Sequence, residues 1–119
     1  MRRTSLEPPA SDFLPLSPAI AHILLALADE DRHGYAIMQE VERLTGGATR
    51  MGPGTLYGTI KRMLASGLIE EADERPDPGL DDERRRYYGI TRLGADVLKA
   101  ESTRMATLVG AARAKKVHP

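Results

Sequence analysis

No cysteine occurs in the 119 residues. That excludes disulfide frameworks, thiolate nucleophiles and Cys-ligated zinc, and fits a reducing compartment such as the cytoplasm. Long apolar runs are missing too. The longest, residues 19–28, is interrupted by His22 and falls short of the roughly 20 residues that cross a bilayer, so no membrane partner is expected. Residues 1–15 hold Arg2 and Arg3 but then Glu7, Pro8, Pro9 and Asp12 in place of an unbroken apolar segment, which argues against a secretory signal. Net charge is absent as well: 17 Lys plus Arg stand against 17 Asp plus Glu. The simplest sign of a nucleic-acid partner, a strongly basic chain, is therefore not there, and any such surface must be built locally. His22, His33 and His118 have no metal-ligand spacing, and no phosphate-binding Gly-rich loop, nucleophile elbow or Cys/His pair is visible. Neither a metal, a cofactor nor an enzymatic activity is expected.

What is present is an ordinary globular balance, 41% hydrophobic and 29% charged, in a length suited to one domain. Residues 1–16 carry Pro8, Pro9 and Pro15 and read as an irregular arm, flexible or docking through Phe13, Leu14 and Leu16. Ser17 as N-cap, Pro18 at the first helical position and Ile20, Ile23, Leu24 and Leu27 at helical spacing predict a helix over residues 18–28. The polar cluster at residues 29–34 reads as a turn. Ile37, Met38, Val41 and Leu44 predict a second helix over residues 35–45, stopped by Gly46 and Gly47. A third, residues 53–66, has the stripe Leu56, Ile60, Met63 and Leu64 and ends at Gly67. Two strands, residues 68–73 and 84–90, flank a loop punctuated by Pro76, Pro78 and Gly79 and make a hairpin. Thr91 caps a long last helix bearing Leu93, Val97, Leu98, Met105, Leu108 and Val109. The fold class is thus mainly α with a small β-hairpin: a winged helix-turn-helix domain (residues 17–90) after the arm (1–16), followed by a C-terminal helix and basic tail (91–119).

In this arrangement the third helix is offered to the DNA major groove and the hairpin loop is the wing. Plotted at 100° per residue, the face opposite the stripe shows Gly54, Thr55, Gly58, Lys61, Arg62 and Ala65. Small residues permit close approach, hydroxyls suit phosphates, and cations reach phosphates or guanine edges. The bland alternative is a solvated face with two surface cations. Charge is also sorted: residues 43–69 hold Arg43, Arg50, Lys61 and Arg62 and no acid, whereas the acid-rich loop is followed by Arg84, Arg85 and Arg86. Sorted cations favour phosphate contacts, although Asp81, Asp82 and Glu83 could instead neutralise the three arginines. Tyr57 lies at the border of the buried face, as either a core-edge ring or a phosphate contact. Tyr87 and Tyr88 are adjacent in a strand, so at most one reaches the core. The candidate DNA-binding residues are Thr55, Tyr57, Thr59, Lys61, Arg62, Arg84, Arg85 and Arg86.

The run Gly54-Thr55-Leu56-Tyr57, followed by Lys61-Arg62-Met63 and Gly67-Leu68-Ile69-Glu70, resembles the PadR family of winged-helix transcriptional regulators. So do His33-Gly34-Tyr35 and Arg86-Tyr87-Tyr88-Gly89-Ile90-Thr91 with Gly94. The resemblance implies a homodimeric regulator, usually a repressor, that binds a palindromic operator on double-stranded DNA and is often released by a small apolar or aromatic effector. It points to the short branch with a single C-terminal helix. Two features depart from the family pattern: position 58 is Gly where Pro is common, and no Trp is present, so a Trp-stacked drug site does not carry over. An effector would be lined by Phe13, Leu14, Leu98 and Met105, residues that could equally only pack the dimer. Pairing through Leu98, Met105, Leu108, Val109 and Ala112 follows from burial, since that stripe outruns the domain and a second copy can cover it, though Glu101 and Gly110 weaken it. The expected operator is an inverted repeat with half-sites roughly 34 Å apart, or a multiple of that. The alternative function is a winged-helix module that binds protein without DNA, separable by a gel shift.

Overall fold

A hydroxyl and a proline start the first helix. Ser17 Oγ accepts from the Ile20 amide at 3.3 Å, and Pro18 takes the first helical position, where its missing N–H leaves no bond unmade. In the computed structural model, which describes residues 8–72 and 86–118, this helix is α1, Pro18–Leu27. It buries Ile23, Leu24, Ala26 and Leu27. Helices α2 (Gly34–Leu44) and α3 (Pro53–Ala65) close on it with Ile37 and Val41, and with Leu56, Ile60 and Met63. These are the faces that the apolar spacing predicts. No helix among the described residues is long and apolar enough to cross a membrane.

Helix α3 ends in a way that fixes where the sheet begins. Gly67 has φ of +80°, a left-handed conformation open to glycine at little cost. From there the Gly67 amide donates to the Leu64 carbonyl at 3.2 Å and the Leu68 amide to the Met63 carbonyl at 3.0 Å, satisfying two carbonyls of the last turn. Leu68 is buried by the reversal and the chain enters β2, Ile69–Ala72, directly. Strand β3, Tyr87–Ile90, runs antiparallel to β2, with Ile69 opposite Ile90 and Ala72 opposite Tyr87.

The sheet has a third strand that the sequence reading takes for a turn. Arg32–His33, named β1, pairs with the other edge of β3, Arg32 opposite Tyr88 and His33 opposite Tyr87, giving the order β1-β3-β2. Two residues are too few to display the alternation by which a strand is recognised. What holds β1 is its tertiary pairing with β3, together with the Arg32 side chain, whose Nε donates to the Ala26 carbonyl at 2.8 Å and whose guanidinium meets Glu30 at 3.1 Å. His33 then caps α2, its Nδ1 accepting from the Ala36 amide at 3.0 Å, so that α2 begins at Gly34.

The last helix, α4, is Arg92–Ala114. Thr91 Oγ1 accepts from the Gly94 amide at 3.0 Å and lies 2.6 Å from the Gly67 carbonyl and 3.0 Å from that of Leu68, tying the start of α4 to the end of α3. Leu93 and Val97 complete the core, beyond which α4 runs outward. Ahead of α1 a single 3₁₀ turn, Ala10–Phe13, lies against α4, with Phe13, Leu14 and Leu16 packed on the core.

Candidate nucleic-acid interface

Helix α3 divides cleanly. Leu56, Thr59, Ile60 and Met63 are buried, while Gly54, Thr55, Lys61, Arg62 and Ala65 are exposed. Its first turn has Gly52 as N-cap with no side-chain cap bond, and Pro53 follows, so backbone amides at that end are open to an anion. Sequence pattern thus places the outward face correctly, with one exception among the candidate contacts. Thr59 is 1% exposed, and its hydroxyl donates to the Thr55 carbonyl at 2.7 Å. It belongs to the buried side, one turn behind Thr55.

Tyr57 is half-buried, and its hydroxyl end occupies the place a β-carbon at Gly34 would take. Gly34 thereby lets the start of α2 approach the ring, and the two helices of the helix-turn-helix meet there. Arg62 leans back along α3: its guanidinium donates to Thr59 Oγ1 at 3.2 Å, and its Nη1 would stand 3.8 Å from a β-carbon at Gly58.

The basic stretch at residues 43–69 is narrower in space than in sequence. Arg43 pairs with Glu40 at 2.6 Å and Arg50 with Glu42 at 3.2 Å, both acids standing just ahead of that stretch on α2. The Arg43 guanidinium, hydrogen-bonded to it, holds the Glu40 carboxyl below the usual carboxylate range. Among the described residues neither Lys61 nor Arg62 has a carboxylate partner, so the uncompensated charge of the stretch is concentrated on α3. Of the three wing arginines, Arg86 is exposed at the foot of β3; Arg84 and Arg85 lie outside the described residues. Tyr88 is the one in the core, at 5% exposure, and Tyr87 stacks edge-on to His33 with ring centroids 5.4 Å apart.

Along α4, Leu98 and Ala112 are half-buried, while Met105, Leu108 and Val109 are 48%, 67% and 40% exposed. Phe13 lines a cavity of about 300 Å³ with Leu16, Ile20, Arg62 and Met63, whereas Leu98 lines another of about 330 Å³ with Ala28, Ile90 and Ala95. The two share no residue, and neither brings the four candidate effector contacts together: Phe13 lines one, Leu98 lines the other, and Leu14 and Met105 line neither.

Glu101 is the residue whose role the sequence conceals. An acid in an apolar stripe reads as a weakness, yet it is 1% exposed and receives the Leu16 amide at 2.9 Å and Arg104 Nε at 2.5 Å. Arg104 holds its carboxyl below the usual range, assisted by the Leu16 amide and opposed by burial. The arm is thereby fastened to α4. The only local sign was an arginine three residues after the acid.

Residues 23–100 match the model of the transcriptional regulator PadR-like family. The chain is 38% identical over 88 residues to an uncharacterized 37.1 kDa protein in transposon TN4556 of Streptomyces fradiae, covering 74% of this chain and 23% of that one. It is 38% identical over 77 residues to the transcriptional regulator Rv3488 of Mycobacterium tuberculosis, covering 65% of each. The matched stretch is thus less than a quarter of the first relative and just under two thirds of the second. In fold it is similar to Bacillus subtilis PadR in complex with operator DNA, with a TM-score of 0.61 and 19% identity over 72% of this chain and 46% of that one.

Proposed function

The chain belongs to the PadR-like family of transcriptional regulators, and from that premise we propose that it is a homodimeric, sequence-specific DNA-binding repressor acting on an inverted-repeat operator. Residues 17–90 would grip DNA through α3 and the wing, residues 91–119 would pair two copies, and residues 1–16 would serve as an arm. The observation that carries this reading is the face of α3: Thr55, Lys61 and Arg62 stand exposed, the two cations without carboxylate partners among the described residues, on a helix whose other side is locked into the core. A fold of the same kind is held on operator DNA in the Bacillus subtilis complex. Dimerisation is supported by Met105, Leu108 and Val109, an apolar stripe that the arm leaves uncovered. Release by a small apolar molecule belongs to the same proposal, and a molecule in the cavity lined by Phe13, Leu16 and Arg62 would act on α3 through Arg62.

The test is selection from a random duplex library followed by titration of the enriched sequence, with sedimentation to determine how many copies bind. The expected product is an inverted repeat bound by two copies, and Arg62→Ala should weaken binding by about 1 to 3 kcal/mol. Enrichment of no sequence, or an affinity untouched by Arg62→Ala and Lys61→Ala alike, overturns the assignment in favour of a protein-binding module.

A further inference from the structure

Arg62 stands in the last third of α3, Pro53–Ala65, whereas a recognition helix reads base edges chiefly with its N-terminal residues. Helical side chains lean toward the N-terminus, and this one does so by a full turn, its guanidinium arriving beside Gly58 and Thr59. Gly58 presents no side chain in the way. Thr59 provides the anchor, and the way its hydroxyl is used matters. The single hydroxyl proton goes to the Thr55 carbonyl at 2.7 Å, which leaves lone pairs directed outward, and Arg62 donates to one of them at 3.2 Å. A buried hydroxyl with its proton already engaged can only accept, so it suits a guanidinium and nothing anionic.

We propose that Thr59 is a specificity-determining positioning residue: buried and unable to touch DNA itself, it pre-orients the Arg62 guanidinium toward the half of α3 that faces base edges. The inference rests on the reading of α3 as a recognition helix and replaces direct contact by Thr59 with action through Arg62. An arginine side chain loses considerable rotamer freedom when it is fixed on binding, and one already held in place loses less. Sequence-specific binding should feel this, because a bidentate base contact needs one orientation. Binding to any duplex through phosphates should not, because a mobile cation serves equally well.

The experiment uses the full chain, a duplex selected by the wild-type protein from a random library, and an unrelated duplex of equal length. Thr59→Val keeps the volume and removes the acceptor; Thr59→Ser keeps the acceptor. The expected result is that Thr59→Val binds the selected duplex about three- to tenfold more weakly and the unrelated duplex as before, while Thr59→Ser stays near wild type. In an Arg62→Ala background, Thr59→Val should have no further effect. Equal losses on both duplexes, the same loss with Arg62 already removed, or wild-type binding by Thr59→Val would each overturn the inference while leaving the recognition helix in place. Failure of the wild-type chain to enrich any sequence would remove the recognition helix itself, and the positioning role with it.

Discussion

Gly58 and Gly94 both lie inside helices, where glycine costs about 1 kcal/mol relative to alanine, yet they should answer oppositely to an added methyl group. At Gly58 a β-carbon meets only Arg62 Nη1 at an ordinary contact distance. Gly58→Ala should therefore raise stability by about 0.4 to 1 kcal/mol in urea denaturation. At Gly94 a β-carbon would overlap the Leu68 carbonyl oxygen, a backbone atom that cannot swing aside. Gly94→Ala should lose about 1 to 3 kcal/mol by the same measurement, and a neutral result would mean that α4 does not press on the α3–β2 connection. Glu101 makes a third case. Its folded carboxyl titrates below the ordinary Glu value because Arg104 and the Leu16 amide favour the ionised form. The stabilisation is then complete above the unfolded value of about 4.3 and is lost as the pH falls through the lower folded value. The gap in melting temperature between wild type and Glu101→Gln should be widest near neutrality and close on acidification; a gap that ignores pH would show that the charge is not what holds the arm. Sequence could not reveal this role, since the amide that Glu101 accepts from lies 85 residues earlier.

Between elements, the helices were legible because each carries a stripe of helical period and its own start and stop signals: Ser17 with Pro18, Gly67 after α3, Thr91 before α4. Each signal is local chemistry, and each acts in the structure as a cap. Strand β1 was illegible for the complementary reason: its state is imposed by the edge of β3, more than fifty residues later in the chain, which leaves no local signature. The exposed face of α3 was readable from the same periodicity, but the burial of Thr59 was not, since it sits at the boundary of the stripe and its hydroxyl turns back to the Thr55 carbonyl. Thr91 joins the two kinds of information. Besides capping α4, it reaches the Gly67 and Leu68 carbonyls and so fixes the angle at which α4 leaves the domain. Thr91→Ala should cost about 1 to 2 kcal/mol, the upper part of the range for a cap, with Thr91→Ser recovering most of it in thermal melts. A loss no greater than a few tenths would assign the junction to the packing of Leu93 alone.

Zero net charge becomes informative once the cations are placed. Glu40 and Glu42 occupy Arg43 and Arg50, leaving Lys61 and Arg62 as cations of α3 without acidic partners among the described residues. Two such charges, even with wing arginines added, are few beside the six to ten phosphate contacts at which salt sensitivity becomes steep. The proposed pairing of two copies through the exposed end of α4 would double every contact without altering the charge balance of the chain. The doubling has a measurable signature. Each neutralised phosphate contributes about 0.9 to the slope of log affinity against log salt on duplex DNA, so a Lys61→Ala change present twice should lower that slope by about 1.8. A change of about 0.9 would mean that only one copy of α3 reaches the backbone. The inverted-repeat geometry would then be wrong even if DNA binding itself stood. Introducing Leu108→Glu, which places a charge in the uncovered stripe 67% exposed in the single chain, should move the protein to monomer in sedimentation and bring the Lys61 effect down to the single-copy value.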